Sequence, residues 1–235
     1  MIAAGLLLLA VGGVDLLRRM IHSRRWIVFS VAAVLLVVVS AGLDAVVAGV
    51  LAVAVAAIWT RVLPETGAAR AGLWPVALLG LAAAACVVIA PGRARPGLIG
   101  AAWSDYRPGE AVSIDVVLLV VGCLVFLLES GNAVVRIALR SEMGGAAGDE
   151  QSPPTLKGGR LIGPLERILV FVLTLAGAYT LLAAVLAAKG IVRFPEISRD
   201  RDDGDRAEYF LIGSLVSWVT SLAAAFLVWW GVNPG

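Results

Sequence analysis

Apolar residues run in long blocks along this chain, and the charged residues fall mostly between the blocks. Residues 2–17, 26–60, 73–90, 111–139, 165–188 and 208–230 are almost wholly apolar. An apolar run of ~17–25 residues spans the hydrocarbon core of a bilayer when helical. The pattern therefore predicts an all-α, polytopic transmembrane helix bundle. Block 26–60 is too long for one helix, and Ser40-Ala41-Gly42-Leu43-Asp44 supplies turn chemistry within it. A tight hairpin of 26–41 and 45–60 is expected, with Ala48, Ala52 and Ala56 as a small-residue packing face. That gives about seven spans, or six without the hairpin.

Arg18, Arg19, His22, Arg24 and Arg25 follow the first span and are the densest basic cluster. Cytoplasmic loops carry the excess of Lys and Arg, so the N-terminus is expected outside and, after seven crossings, the C-terminus in the cytoplasm. On this topology eleven basic residues lie inside and eight outside, the latter including Lys189, Arg193 and those of 198–206. The first charge is Asp15, with no basic region before the apolar run, so no cleavable signal peptide is expected. Asp15 is expected to pair with Arg18 or Arg19 one turn on.

Four stretches follow from this layout. Residues 1–110 hold spans one to four and an outer loop over 92–110, with Trp103, Asp105, Tyr106 and Arg107 near the interface. Residues 111–140 form a long charged fifth helix, and 141–160 a Gly/Pro/Ser-rich, flexible cytoplasmic linker. Residues 161–235 form a two-span module closed by Trp229-Trp230. The stretch 157–230 is expected to be the part the rest supports.

At 60% hydrophobic residues and a mean hydropathy of +0.94, the chain exceeds the ~45–50% apolar usage of soluble proteins. The net charge of +2, with basic residues scattered beside apolar blocks, argues against a nucleic-acid partner. Cys86 and Cys123 sit inside apolar blocks at different depths and read as small buried hydrophobes, not a disulfide. His22 is the single histidine, and no HExxH, GxSxG, P-loop or CxxC occurs. No catalytic residues, metal site or cofactor is expected.

The remaining chemistry lies in ionisable residues near or inside the apolar blocks, where charge is costly and tends to face the bundle interior. Asp115, Gly122, Glu129 and Arg136 recur every seven residues, nearly two helical turns, and share one face of a continuous helix. Asp115 and Glu129 are then ~21 Å apart along the axis, and Glu166 and Lys189 ~34 Å apart on the sixth span. Two clusters are expected: an outer one of Asp115, Lys189, Arg193, Glu196 and Glu208, and an inner one of Glu129, Asn132, Arg136, Glu166 and Arg167. Lys189 and Arg193 are expected to pair with Asp115 or Glu208.

The string GRLIGPLERILVFVLTLAG, then AAKGIVRFPEI, then AEYFLIGSLVSW, resembles the C-terminal membrane half of a family of uncharacterised bacterial multi-pass proteins. Their pattern is similar to GRxIGxLER, AAKSIxRF and AEYxLIGT. Gly159, Arg160, Gly163, Glu166, Arg167, Lys189, Arg193, Phe194, Glu208, Tyr209 and Gly213 match it, while Gly190 and Ser214 replace its serine and threonine. The resemblance covers about a third of the chain and implies a bacterial membrane protein without a defined activity. The function expected is a non-enzymatic, multi-pass plasma-membrane accessory or scaffold with a charge-paired helix core. Its partners would be the lipid bilayer and other membrane proteins or further copies of itself. Two alternatives stay open: a small transporter or channel with an ion path at Glu129 and Lys189/Arg193, and an intramembrane lipid-handling enzyme.

Overall fold

Apolar blocks without strand-like alternation leave helix as the way to satisfy each backbone group within its own segment. The computed structural model describes residues 1–21, 25–63, 72–89, 97–106, 112–142, 159–197 and 205–233, with side chains omitted at 25, 106, 142, 159–160, 193–197 and 205–207. Among the described residues the chain is all-helical. The helices are α1 (Ile2–Met20), α2 (Arg25–Gly42), α3 (Val46–Val62), α4 (Trp74–Ile89), α5 (Gly97–Tyr106), α6 (Ile114–Leu128), α7 (Ser130–Glu142), α8 (Gly159–Leu175), α9 (Tyr179–Ile197) and α10 (Asp205–Val232).

The centre of the bundle is α1, not the C-terminal stretch. It is buried on all sides, from Ile2, Ala4 and Leu6 through Leu8 to Val11 and Gly12. It packs parallel to α6 along a seam of close backbone contact. A Cβ on Gly5 would come within 2.8 Å of the Leu118 backbone, and one on Gly12 within 2.6 Å of the Phe126 amide. Only glycine permits that approach. On another side, α3 runs parallel to α1 and buries Gly49, Ala52, Ala56 and Trp59. The expected alanine face is therefore present at Ala52 and Ala56, with Gly49 in place of Ala48.

The α2–α3 hairpin forms as expected. The amide N–H of Ala45 donates to the Ser40 carbonyl at 2.8 Å and that of Asp44 to Ala41 at 3.1 Å. This is the Schellman pair that ends a helix, with Asp44 in the left-handed region at φ 51°. The stretch expected to be an outer loop contains α5, whose Gly97 meets the α2–α3 turn, 2.9 Å from the Asp44 amide for an added Cβ.

Two expected spans are broken. The fifth bends by 48° between α6 and α7, with Glu129 at φ −125° and ψ −47° as the joint. Ser130-Gly131 follows at once, the kind of pair that kinks helices. The sixth is not one helix. After Leu175 the amide of Ala178 donates to Leu173 at 2.9 Å and that of Gly177 to Thr174 at 3.1 Å, a second Schellman pair with Gly177 at φ 67°. Its chain reverses there, and α8 and α9 form an antiparallel helical hairpin with arms of ~16–18 Å from Gly177 back to Glu166 and Lys189.

That reversal changes the course of α10. Its Gly213 lies against Val135 and Leu139 of α7, and its Gly231 against Leu119 and Met1. Helix α10 thus runs antiparallel to α1 and α6, and Gly231 ends beside Met1. The two chain ends, expected on opposite sides, thus lie at the same end of the helix bundle. By length and composition one helix, Glu208–Val232, is apolar enough to cross a membrane, and the bent pair α6–α7 passes the same test together. Shorter apolar helices are Trp26–Gly42, Val46–Val62, Trp74–Ile89 and Tyr179–Val192. Trp26, Val34, Leu81, Ile89 and Leu181 are among their many large exposed side chains, and Val219 is exposed on α10.

Candidate functional site

The parallel register of α1, α3 and α6 sets Asp15, Trp59 and Glu129 at one level, ~21 Å of helix from Met1. Asp15 accepts hydrogen bonds at one carboxylate oxygen from the Ser130 hydroxyl at 2.6 Å and the Trp59 indole at 3.0 Å. Its other oxygen lies 3.7 Å from Arg18, so the pairing expected from sequence is present. Arg18 also donates to the carbonyls of Thr60 and Leu63 at 3.2 and 3.4 Å, which end α3. Arg19, one residue on, donates to the Glu129 carboxylate and forms a salt bridge across the α6–α7 joint.

The belt continues onto α8. Arg167 is 1% exposed and donates through Nη2 to the Asn132 side-chain oxygen. Its guanidinium lies flat over Gly131, where a Cβ would meet Nε and Nη1 at 2.9 Å. Buried Nε has no hydrogen-bond partner among the described residues. The Asn132 amide reaches back 3.5 Å to the Leu128 carbonyl, one of those freed by the break.

Next to Arg167, Glu166 closes the α8–α9 hairpin. Lys189 Nζ donates to both of its oxygens, at 2.7 and 2.6 Å, and the Trp218 indole of α10 donates to Oε1 at 2.7 Å. Lys189 also sits 5.5 Å from the Trp218 ring and 5.6 Å from the Phe210 ring, within cation–π range.

These contacts redraw both expected clusters. The outer one does not form around Lys189. Asp115 is buried in the first turn of α6 at the Met1 end, Glu208 is exposed, and Lys189 pairs with Glu166 instead. The physical reason is the turn at Gly177, which brings to 2.6 Å two groups that a straight helix would hold ~34 Å apart. Of the inner cluster, Glu129, Asn132, Glu166 and Arg167 all enter the belt. Arg136 does not, because the 48° bend takes it off the Glu129 face and leaves it exposed. The side chains of Arg193 and Glu196 lie outside the described residues, although both positions belong to α9.

Sequence reasoning missed Arg19 as the Glu129 partner, and Trp59, Ser130, Trp218 and Phe210 as neighbours. Tryptophan indoles inside apolar blocks were the available signal, since a buried N–H needs an acceptor. Cys86 and Cys123 are both free. Among the described residues no group of three His, Cys, Asp or Glu could hold a metal. Compared with protein-family models, curated proteins and solved structures, the chain matches none.

Proposed function

We propose that this chain is a multi-pass plasma-membrane protein of non-enzymatic, scaffolding type, its polar belt stapling the helices around α1. The observation that carries the reading is the closure of the belt. Asp15, Glu129 and Glu166 each receive their donors from other helices. Charges removed from water are tolerated when paired and hydrogen-bonded in this way.

The course of the chain supports six crossings, by α1, α2, α3, α4, α6–α7 and α10, with α8–α9 as a hairpin entering and leaving on one side. Charge distribution favours this arrangement. Moving Lys189, Arg193, Arg199, Arg201 and Arg206 to the Arg19 side leaves only Arg93, Arg95 and Arg107 of the nineteen basic residues on the other. That asymmetry is far stronger than the one expected for seven spans, and it supports a cytoplasmic Arg19 side with both Met1 and Gly231 outside. The family resemblance in the C-terminal third is retained on its residues. Three of them, Glu166, Arg167 and Lys189, are belt members.

A second reading, a small ion or proton transporter, draws on the break at Glu129, because interrupted helices are where transporters place their ion and substrate sites. Glu129→Gln separates the two. The scaffold reading expects a lower melting temperature in detergent and no proton flux in wild-type proteoliposomes. Wild-type flux that the substitution abolishes, with folding intact, would overturn it.

A further inference from the structure

An ammonium group leaving water needs its hydration replaced, by a carboxylate for charge and by aromatic faces for the diffuse positive surface of its substituents. Glu166, Trp218 and Phe210 offer that combination around one point, and Lys189 Nζ stands on it. The Trp218 indole N–H bonds the Glu166 carboxylate at 2.7 Å, which fixes both the acid and the ring whether or not an ammonium is present.

The three receiving groups and their occupant are held differently. Glu166 is on α8 and the two aromatics on α10, elements anchored in the bundle by buried Arg167, Val170 and Phe171 and by Ser214, Ser217, Ser221 and Ala225. Lys189 comes from α9, which buries no residue between Tyr179 and Val192; only Leu182, Val185, Leu186 and Lys189 are even half-covered. Its connection to α8 is the turn at Gly177, with open space around that residue. Lys189 itself keeps 23% of its side chain exposed against 11% for Glu166.

We propose that Glu166, Trp218 and Phe210 form a binding site for an organic ammonium group, which Lys189 fills here as a tethered ligand that an external ammonium displaces. Two aromatic faces and a single carboxylate suit an alkylammonium better than a strongly hydrated inorganic cation. The ligand class spans free amines and the ammonium headgroups of lipids. The site does not depend on the scaffold reading, since a transporter with the same groups would carry it equally.

Lysine chemistry tests this directly, because Lys157 and Lys189 are the chain's two lysines. In the Lys157→Arg protein, acetylation of Lys189 by acetic anhydride is followed by peptide mass spectrometry. Added tetramethylammonium chloride should raise the acetylation rate several-fold and saturably, while sodium chloride at equal ionic strength should not. The same response to both salts, or to neither, overturns the proposal. Nanodiscs identify the source: faster acetylation in phosphatidylcholine than in phosphatidylglycerol, without added salt, assigns the group to a lipid headgroup, and equal rates assign it to a soluble amine. As a second measurement, Lys189→Met should bind tetramethylammonium in calorimetry and Lys189→Met/Trp218→Leu should not. A folded Lys189→Met protein that binds none also overturns it.

Discussion

Helices α1 and α9 are both 19 residues long and both rich in Leu and Ala, yet their surroundings are opposite. α1 is enclosed by α3, α6 and their neighbours, whereas α9 lies on the outside and touches the rest mainly through Lys189 and a half-covered stripe. Apolar content does not decide which of two such helices becomes the centre. Close fit and polar partners do. α1 has Gly5 and Gly12 matched to the α6 backbone and Asp15 and Arg19 matched to acceptors and donors on three helices. α9 has alanines at 183, 184, 187 and 188 that face outward, and Lys189 is the cation it sets against Glu166.

The sharpest way to break this contrast is topological and all-or-none. If α8–α9 is a hairpin, a cysteine placed in 198–204 should be labelled from the same side as one in 143–158. Labelling from opposite faces would restore α9 to a crossing. Next in size, Gly12→Leu should lower stability by about 3 kcal/mol or prevent folding, since backbone must move to admit the side chain. A melting curve in detergent reads it. Asp15→Ala leaves the Trp59 and Ser130 donors unpaired and should cost about 2 kcal/mol. Gly177→Ala forces a left-handed conformation on a residue with a Cβ and should cost about 1 kcal/mol. Its effect should appear as faster hydrogen exchange confined to α9, with global melting unchanged. Smallest of all, Ala184→Leu on the outer face of α9 should stay within about 0.5 kcal/mol of wild type.

Helix positions were legible where length forced the question. The block 26–60 is too long for one span and so demands a turn, which forms at Asp44. Block 165–188 has the same Schellman chemistry at Gly177 but a length that fits one bilayer crossing, so nothing in its length demands a turn. From that one residue follow the placement of Lys189 against Glu166 and the dispersal of the expected outer cluster. Glu129, Glu166 and Arg167 were legible as candidates because charge in an apolar block is costly wherever it falls. Their partners were not, since pairing Arg19 with Glu129 requires knowing that the first and sixth helices run side by side. Seven-residue spacing could not reveal the bend that separates Arg136 from Glu129.

The pairing of α1 with α6 has a consequence for biosynthesis. Arg19 and Glu129 are 110 residues apart, and at ~5–20 residues per second a ribosome needs roughly 5–20 s to deliver the second after the first. During that interval the central helix has its glycine seam uncovered and its Glu129 partner not yet made. Until α6 is made that face has no partner, and a stall between α4 and α6 would strand the one helix on which the others converge.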